Sequence, residues 1–416
     1  MTDQPKEGAP ARRAGRSFLG TLVAEPGRFA AELWGCTALH TLAAELPAHG
    51  RTLFSADAVD ELVSTRGLRT PFLRMARDGA TLAERDFTAS GGVGATIADQ
   101  LSDDKLLRAF AEGATMVLQG LHRTWEPIIT FSQGLAAELG HPVQVNGYVT
   151  PAQSQGFDDH YDVHDVFVLQ IAGSKRWRVR PPVHPSPLRT QPWTDHRAAI
   201  ARVAQDAPEL EVVLEPGDTL YLPRGWVHAA TAMGGVSTHL TMGVHTWTRH
   251  HLLEQVTAQA VAALTEAPEM RRSLGVGVDV GDPKELADDL HLVRDRLVEA
   301  IQQVSDDAVA RRLAGLARTD QRAAPLPVLT QLAAADRLDD EVRLHLRKYV
   351  APHIIERADG SALIRSRAGE LELTADECAR VEALIRRESV PVAHLGASLA
   401  RKLMIGGLAV VRTDLT

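Results

Sequence analysis

Between positions 143 and 248 the sequence is built of short β-branched and aromatic runs, VQVNGYV, DVFVLQIA, KRWRVR, ELEVVL, DTLYL and HLTMGVHTW, divided by turn residues. Strands this short and this closely spaced close into a sandwich or barrel, which pairs or protects their edges. The flanks read differently. PGRFAAELWG and DKLLRAFAEGATMVL before the block, and HHLLEQVTAQAVAALTE after it, carry apolar residues at helical spacing. The expected class is therefore α+β, with one β-rich core between helical segments.

A chain of 416 residues exceeds one ordinary domain, so two or three are expected. Residues 1–17 hold no apolar core of signal-peptide length and read as a disordered leader. The β-rich domain then takes 18–249, and a helical segment takes 250–321. Within that segment the spacing predicts a helix over 282–308: Asp282 can cap it, Pro283 suits its first turn, and Glu285 stands where a capping box places it. Leu286, Leu290, Val293, Leu297, Ile301, Val304 and Ala308 draw one apolar stripe, which packs on its own domain or forms a dimer seam. RAAPLPVL reads as a linker opening a last unit, 322–416. That unit shows a helix LDDEVRLHLRKYV, a hairpin turning at Asp359-Gly360, a helix opened by Thr374 with Glu377, a helix near 393–404 and a final strand LAVVR. The order resembles a winged helix.

Composition narrows the partners. Lys plus Arg number 45 against 53 Asp plus Glu, a net charge of -8, which disfavours general nucleic-acid or anionic-membrane binding. From Thr319 onward the count is 14 against 14, so the last unit lacks the basic face of a DNA reader and no direct DNA binding is expected. Cys36 and Cys378 stand far apart with no CxxC, which argues against a disulfide framework and a thiolate zinc site and fits a reducing cytoplasm. No stretch reaches the ~18 apolar residues of a membrane span.

The chemistry is concentrated in GFDDHYDVH, 156–164, where three acids and two histidines precede an apolar strand. Alternate residues of an extended chain share a face, so His160 and Asp162 project together. One imidazole and one carboxylate make two corners of a metal site, and a histidine from another strand completes a facial triad with open positions. LEPGDTLYLPRGWVH supplies it through a turn, a strand, a Pro223-Arg224-Gly225 bend and then His228. His164 and His239 compete for that place; three ligands at 160, 162 and 164 could hardly surround one ion, so His164 supports the site from behind or faces solvent. Thirteen residues after Asp162, Lys175 follows the turn Gly173-Ser174. Alternation sets Lys175, Trp177 and Val179 on one face and Arg176, Arg178 and Arg180 on the other; an inward lysine calls for a carboxylate.

VNGYVTPAQSQGFDDHYDVHDVFVLQIAGSKRWRV, LEPGDTLYLPRGWVHAA and GATMVLQGLHR together resemble the JmjC-type branch of the cupin superfamily, nearest to the ribosomal oxygenases. The resemblance implies a double-stranded β-helix (jelly-roll) catalytic domain, a helical dimerisation segment and a C-terminal winged-helix domain. It further implies an Fe(II)- and 2-oxoglutarate-dependent dioxygenase that uses O2 to hydroxylate a side chain and releases succinate and CO2. His160, Asp162 and His228 would bind the iron, Lys175 would pair with the distal carboxylate of 2-oxoglutarate, and Asn146, Tyr148 and His239 match pocket positions. The implied substrate is a histidyl or arginyl side chain in a protein or peptide, a ribosomal protein among them. The same scaffold could serve a peptide natural product or a free amino acid, or persist as an inactive metal-binding interaction module. Two departures stand out. Gly243 replaces a serine found in many relatives, which suggests a roomier cosubstrate pocket. Asp158 and Asp159 replace Gly-Pro or Ala-Pro and read as acids at the mouth that attract a cationic substrate.

Overall fold

The computed structural model describes residues 17–412 apart from 78, 95, 155 and 156. The expected leader lies outside the described residues except for Ser17, whose hydroxyl donates to Glu138 at 2.6 Å. The chain forms two compact units, one up to Thr246 and one from Trp247.

The first unit is built on a nine-stranded antiparallel sheet. Its strands are β1 (Leu39–Thr41), β2 (Leu73–Arg77), β3 (Ala80–Thr81), β4 (Thr115–Leu118), β5 (Val143–Thr150), β6 (Asp165–Arg180), β7 (Leu210–Leu214), β8 (Thr219–Leu222) and β9 (Val227–Val244). They run in the order β1-β8-β6-β9-β5-β4-β2-β3, with β7 added to β6. Two long strands organise it. The first half of β6 pairs with β8 and its second half with β7, while β9 follows β6 along nearly its whole length and gives its own second half to β5.

The expected turn at Gly173-Ser174 is instead a bend inside β6. Gly173 adopts φ +61°, and a Cβ there would collide with the Val236 carbonyl, so only glycine lets the two long strands bend together. HLTMGVHTW contributes to the second half of β9; its first half, from Val227, was hidden by the small residues of HAATAMGG. DKLLRAFAEGATMVL divides at Gly113, φ +96°, into helix α1 (Asp103–Ala111) and strand β4. Helix α2 (Glu126–Leu139) buries Ile128, Phe131 and Leu135, and the main core joins these to Phe29, Phe54, Phe167, Leu240 and Met242. Each such side chain stabilises the fold by roughly 1.5–3 kcal/mol on burial.

The second unit begins with α3 (Arg249–Thr265), α4 (Ala287–Gln303) and α5 (Asp306–Asp320). The single helix expected over 282–308 is therefore shorter, and a second one follows it. Asp282 makes a local turn by accepting from the Lys284 amide, Glu285 reaches back to the Asp279 amide instead, and the chain leaves helical conformation at Val304 before Asp306 opens α5. Beyond 322 lie α6 (Val328–Ala335), β10 (Arg343–Leu346), β11 (His353–Glu356), β12 (Ala362–Ser366), β13 (Gly369–Leu373), α7 (Ala375–Arg387), β14 (Ser389–Pro391), α8 (Ala397–Ile405) and β15 (Ala409–Val411). LDDEVRLHLRKYV yields a strand where a helix was expected, because Leu344 is fully buried between Val390 and Val411 of its two partner strands. The Thr374–Glu377 capping box and the hairpin form as expected. No described helix is long and apolar enough to cross a membrane.

Candidate functional site

His160 and His228 face each other as an isolated antiparallel pair. The His160 amide donates to the His228 carbonyl at 3.1 Å and the His228 amide to the His160 carbonyl at 2.8 Å. The Pro223-Arg224-Gly225 bend clamps the same loop twice more: the Gly225 amide donates to the Asp162 carbonyl at 2.9 Å, and the Arg224 amide to Asp165 Oδ1 at 2.8 Å. Two stretches distant in sequence, one with His160 and Asp162 and the other with His228, are thereby fixed on one spot. The ligand atoms of His160, Asp162 and His228 all lie within 4.8 Å of one another, and this is the one such cluster among the described residues.

The imidazoles are oriented by the chain itself. His160 Nδ1 lies 2.7 Å from the Asp158 carbonyl and His228 Nδ1 lies 3.0 Å from the Trp226 carbonyl. A carbonyl can only accept, so each Nδ1 carries the proton and each Nε2 keeps its lone pair. His228 Nε2 stands 3.7 Å from Asp162 Oδ2. Burial and the neighbouring His160 push the His228 imidazole down to about 4, which keeps it neutral. Burial pushes the Asp162 carboxyl up, yet His164, His228, His160 and Arg74 together outweigh it and hold Asp162 below its ordinary value. Two neutral nitrogens and one carboxylate suit a divalent first-row metal. His164 and His239 do not join the triad.

The triad opens on a cavity of about 370 Å³. Lys175, Tyr148 and His239 line it, with Trp177, Thr115, Thr241, Phe157, Trp193 and Arg74. Lys175 is only 4% exposed, and burial brings its ammonium down to about 7. Its Nζ donates to Thr150 Oγ1 at 3.1 Å, and no carboxylate among the described residues pairs with it. Trp177 Nε1 and His239 Nδ1 are buried without partners. A floor rich in donors and poor in carboxylates fits an anionic ligand. His239 and Tyr148 are cross-strand neighbours with rings stacked at 4.9 Å and 4°; burial, then Lys175, drives the His239 imidazole far down, and burial raises the Tyr148 phenol. Asn146 lies next on that face, but its Oδ1 accepts from the Gly120 amide at 3.0 Å and it is not among the cavity-lining residues.

Three readings change. Arg180 is 3% exposed although it was assigned to the outer face, and it takes Asp159 as its partner at 2.9 Å while donating to the Ala204 and Asp206 carbonyls. Asp159 is thus a structural acid; Asp158 is exposed beside Gly79. The space at Gly243 is occupied by His164: a Cβ there would come 2.5 Å from its ring. Sequence reasoning also missed Arg74, whose signal was a lone arginine between Leu73 and Met75 in a half-buried strand.

Residues 126–252 match the family model of the JmjC domain. The chain is similar to ribosomal oxygenase 1 of Homo sapiens, 41% identical over 151 residues, covering 34% of this chain and 22% of that protein. It is also similar to the bifunctional lysine-specific demethylase and histidyl-hydroxylase NO66 of Aedes aegypti, 34% identical over 198 residues, 44% of this chain and 30% of that protein. The matches span about a quarter of the length of the ribosomal oxygenase 1 proteins. Among solved structures, YcfD of Escherichia coli matches 92% of this chain and 97% of its own with a TM-score of 0.52 at 14% identity. A second structure of that ribosomal oxygenase, in complex with cobalt and 2-oxoglutarate, matches the same shares with a TM-score of 0.50 at 14% identity. These likenesses give the first unit the cupin fold.

Proposed function

We propose, from the premise that this chain carries a JmjC domain, that it is an Fe(II)- and 2-oxoglutarate-dependent dioxygenase acting on a side chain of a protein or peptide. One observation carries the reading: a His-Asp-His cluster and a buried lysine without a counter-anion line the same cavity. When bound, the iron and 2-oxoglutarate supply the oxidation of a substrate C–H to C–OH by O2, with release of succinate and CO2. The protein's part is placement. His160, Asp162 and His228 hold the metal, and the carbonyls of Asp158 and Trp226 keep both imidazoles in the ligating tautomer. Lys175 binds the distal carboxylate of 2-oxoglutarate, with Thr150 at its side. The Tyr148–His239 stack fixes one wall, Asn146 steadies the turn at Gly120 beside it, and Trp177 limits the water that reaches the floor.

The names of the relatives support a protein substrate, a ribosomal protein among them. The same reading takes 18–249 as catalytic, 250–321 as a helical dimerisation segment and 322–416 as a winged-helix-like domain, with a cytoplasmic homodimer as the working form. Leu290, Val293 and Ile301, exposed along α4, support the dimer, and the two free cysteines suit a reducing compartment. Changing Leu290 and Leu297 to Arg should give a monomer on sedimentation; a folded, unchanged assembly would remove that part.

The test of the activity needs no substrate. Apo-protein titrated anaerobically with Fe(II) and then 2-oxoglutarate should develop the visible metal-to-ligand charge-transfer band. His160→Ala should abolish it, and Lys175→Ala should demand far more 2-oxoglutarate. No band at saturating iron would overturn the proposal.

A further inference from the structure

The sheet that carries the site has a second concavity on its other face. Met116 on β4, Val149 on β5 and Thr238 on β9 are cross-strand neighbours in one row, each next in sequence to a residue of the catalytic cavity, Thr115, Tyr148 and His239. Successive residues of a strand face opposite ways, so this row floors a separate cleft of about 470 Å³. The helical turns Ala56–Asp60 and Glu61–Thr65 and the helix α1 supply its walls. Val63, Leu107, Phe110 and Val236 line it, and Leu107 is 69% exposed and Val236 49%. Apolar side chains grouped open to water around a cleft mark a surface that another molecule covers.

The rim carries one sign of charge. Asp60, Asp103 and Asp104 border the cleft, all exposed, and no cation among the described residues pairs with them. Asp103 Oδ1 accepts from the Asp104 amide at 3.0 Å, which leaves its charge uncompensated. The cations on or next to these helices are engaged elsewhere or stand off the cleft: Lys105 gives its Nζ to the Arg85 and Thr88 carbonyls, Arg66 pairs with Glu61, and Arg108 is not among the lining residues. Such a rim repels an anionic membrane surface, and a second copy docked about a two-fold axis would set acid against acid. A cationic guest with apolar anchors is drawn by the rim and covered by the walls.

We infer that this cleft docks a basic amphipathic helix of another protein. Apolar side chains one turn apart enter between the helical walls, and flanking Lys or Arg side chains meet Asp60, Asp103 and Asp104. The docking site is separate from the catalytic cavity and does not rest on the dioxygenase reading. Because Val149 follows Tyr148 on β5, the guest sits behind the wall that the Tyr148–His239 stack presents to that cavity.

The test uses the full chain and a fluorescein-labelled model helix of Leu and Lys, with leucines at i, i+4 and i+7, read by fluorescence polarisation at low and high salt. Wild type should bind it saturably, and should bind the same helix with Glu for Lys, or with Ser for Leu, about tenfold or more weakly. Asp60→Asn, Asp103→Asn and Asp104→Asn together should lose about tenfold or more in affinity and most of its salt dependence. Leu107→Ser with Val236→Ser should lose as much and keep the salt dependence. Both sets change exposed side chains, and thermal unfolding is recorded for each as a check of the fold. A control that removes acids from the helices of the second unit, Asp288→Asn, Asp289→Asn and Asp306→Asn, should bind like wild type. No saturable binding, equal weakening by the control set, or unchanged affinity in either cleft variant would each overturn the inference. So would a self-association of wild type that the Leu107→Ser and Val236→Ser variant loses, because a second copy would then occupy the cleft.

Discussion

Lys175 is costly to bury, and the cost can be measured without substrate or cosubstrate. Burial lowers its ammonium from an ordinary 10.5 to about 7. At ~1.4 kcal/mol for each pH unit, holding the proton on the buried lysine costs about 5 kcal/mol. The sign follows from proton counting. Between about 7 and 10.5 the unfolded chain binds more protons at this position than the folded one, so stability rises with pH across that window. The penalty is full below the window and absent above it. Lys175→Met removes the charge and keeps an unbranched side chain in the same space. The metal-free variant should therefore be more stable than wild type near neutrality, and its advantage at about pH 6.5 should exceed that at about pH 9.5 by roughly 3 kcal/mol.

Urea unfolding followed by tryptophan fluorescence reads the correct unit, because Trp34, Trp125, Trp177, Trp193 and Trp226 lie in the first unit and only Trp247 in the second. Groups that titrate in both proteins cancel in the difference. A stability difference that is flat with pH would refute the buried-cation account. Excess 2-oxoglutarate with a divalent metal should narrow or reverse the order by stabilising wild type more than the variant, because a carboxylate beside Nζ restores the partner the lysine lacks.

Three further outcomes test the remaining parts. Asp162→Ala leaves two imidazoles and should weaken iron binding by on the order of a hundredfold or more, read as loss of the charge-transfer band. Gly225→Ala places a Cβ 2.7 Å from the His184 carbonyl at φ +89° and should cost about 1–3 kcal/mol in thermal unfolding, with weaker iron binding because Gly225 holds the Asp162 carbonyl. Asp159→Ala strands the buried Arg180 and should cost about 2–4 kcal/mol without changing which side chains are modified, since Asp159 is spent inside the fold.

The His160–Asp162–His228 cluster was legible because each residue sits in a local pattern that a β-rich site explains: HxD before an apolar strand, and a histidine just past a Pro-Arg-Gly bend. Lys175 was legible from alternation, since the other face carried three arginines. That same rule failed at Arg180, where β6 ends. A strand's last residue can fold its side chain against loops, and Arg180 finds Asp159 and two carbonyls there. Arg74 was invisible for a different reason. It approaches Tyr148 and Phe157 through β2–β4–β5 pairing, whose register no local spacing encodes. In the second unit, LDDEVRLHL has helical composition, yet Leu344 packs between two strands that arrive 46 and 67 positions later, a tertiary demand that outweighs local propensity.

Gly243 and His164 show how an apparent departure can be answered elsewhere in the chain. Glycine at 243, set against the serine of the family it resembles, suggested a roomier pocket; the structure fills that volume with the His164 ring, which also faces His245 at 5.1 Å and Gln144 Nε2 at 3.4 Å. With neighbours on those sides, the ring cannot swing away freely when a Cβ arrives. Gly243→Ser alone should therefore destabilise the first unit by about 1–3 kcal/mol, the range for overpacking a tight site. His164→Val, which shortens the intruding side chain, should accept the serine, so the double variant should recover at least ~1 kcal/mol relative to the sum of the two singles. Unfolding energies that simply add would show that the ring yields without cost and that the two positions are not coupled. A positive coupling would make His164 the residue that fills the volume over Gly243, supplied from the loop that carries His160 and Asp162.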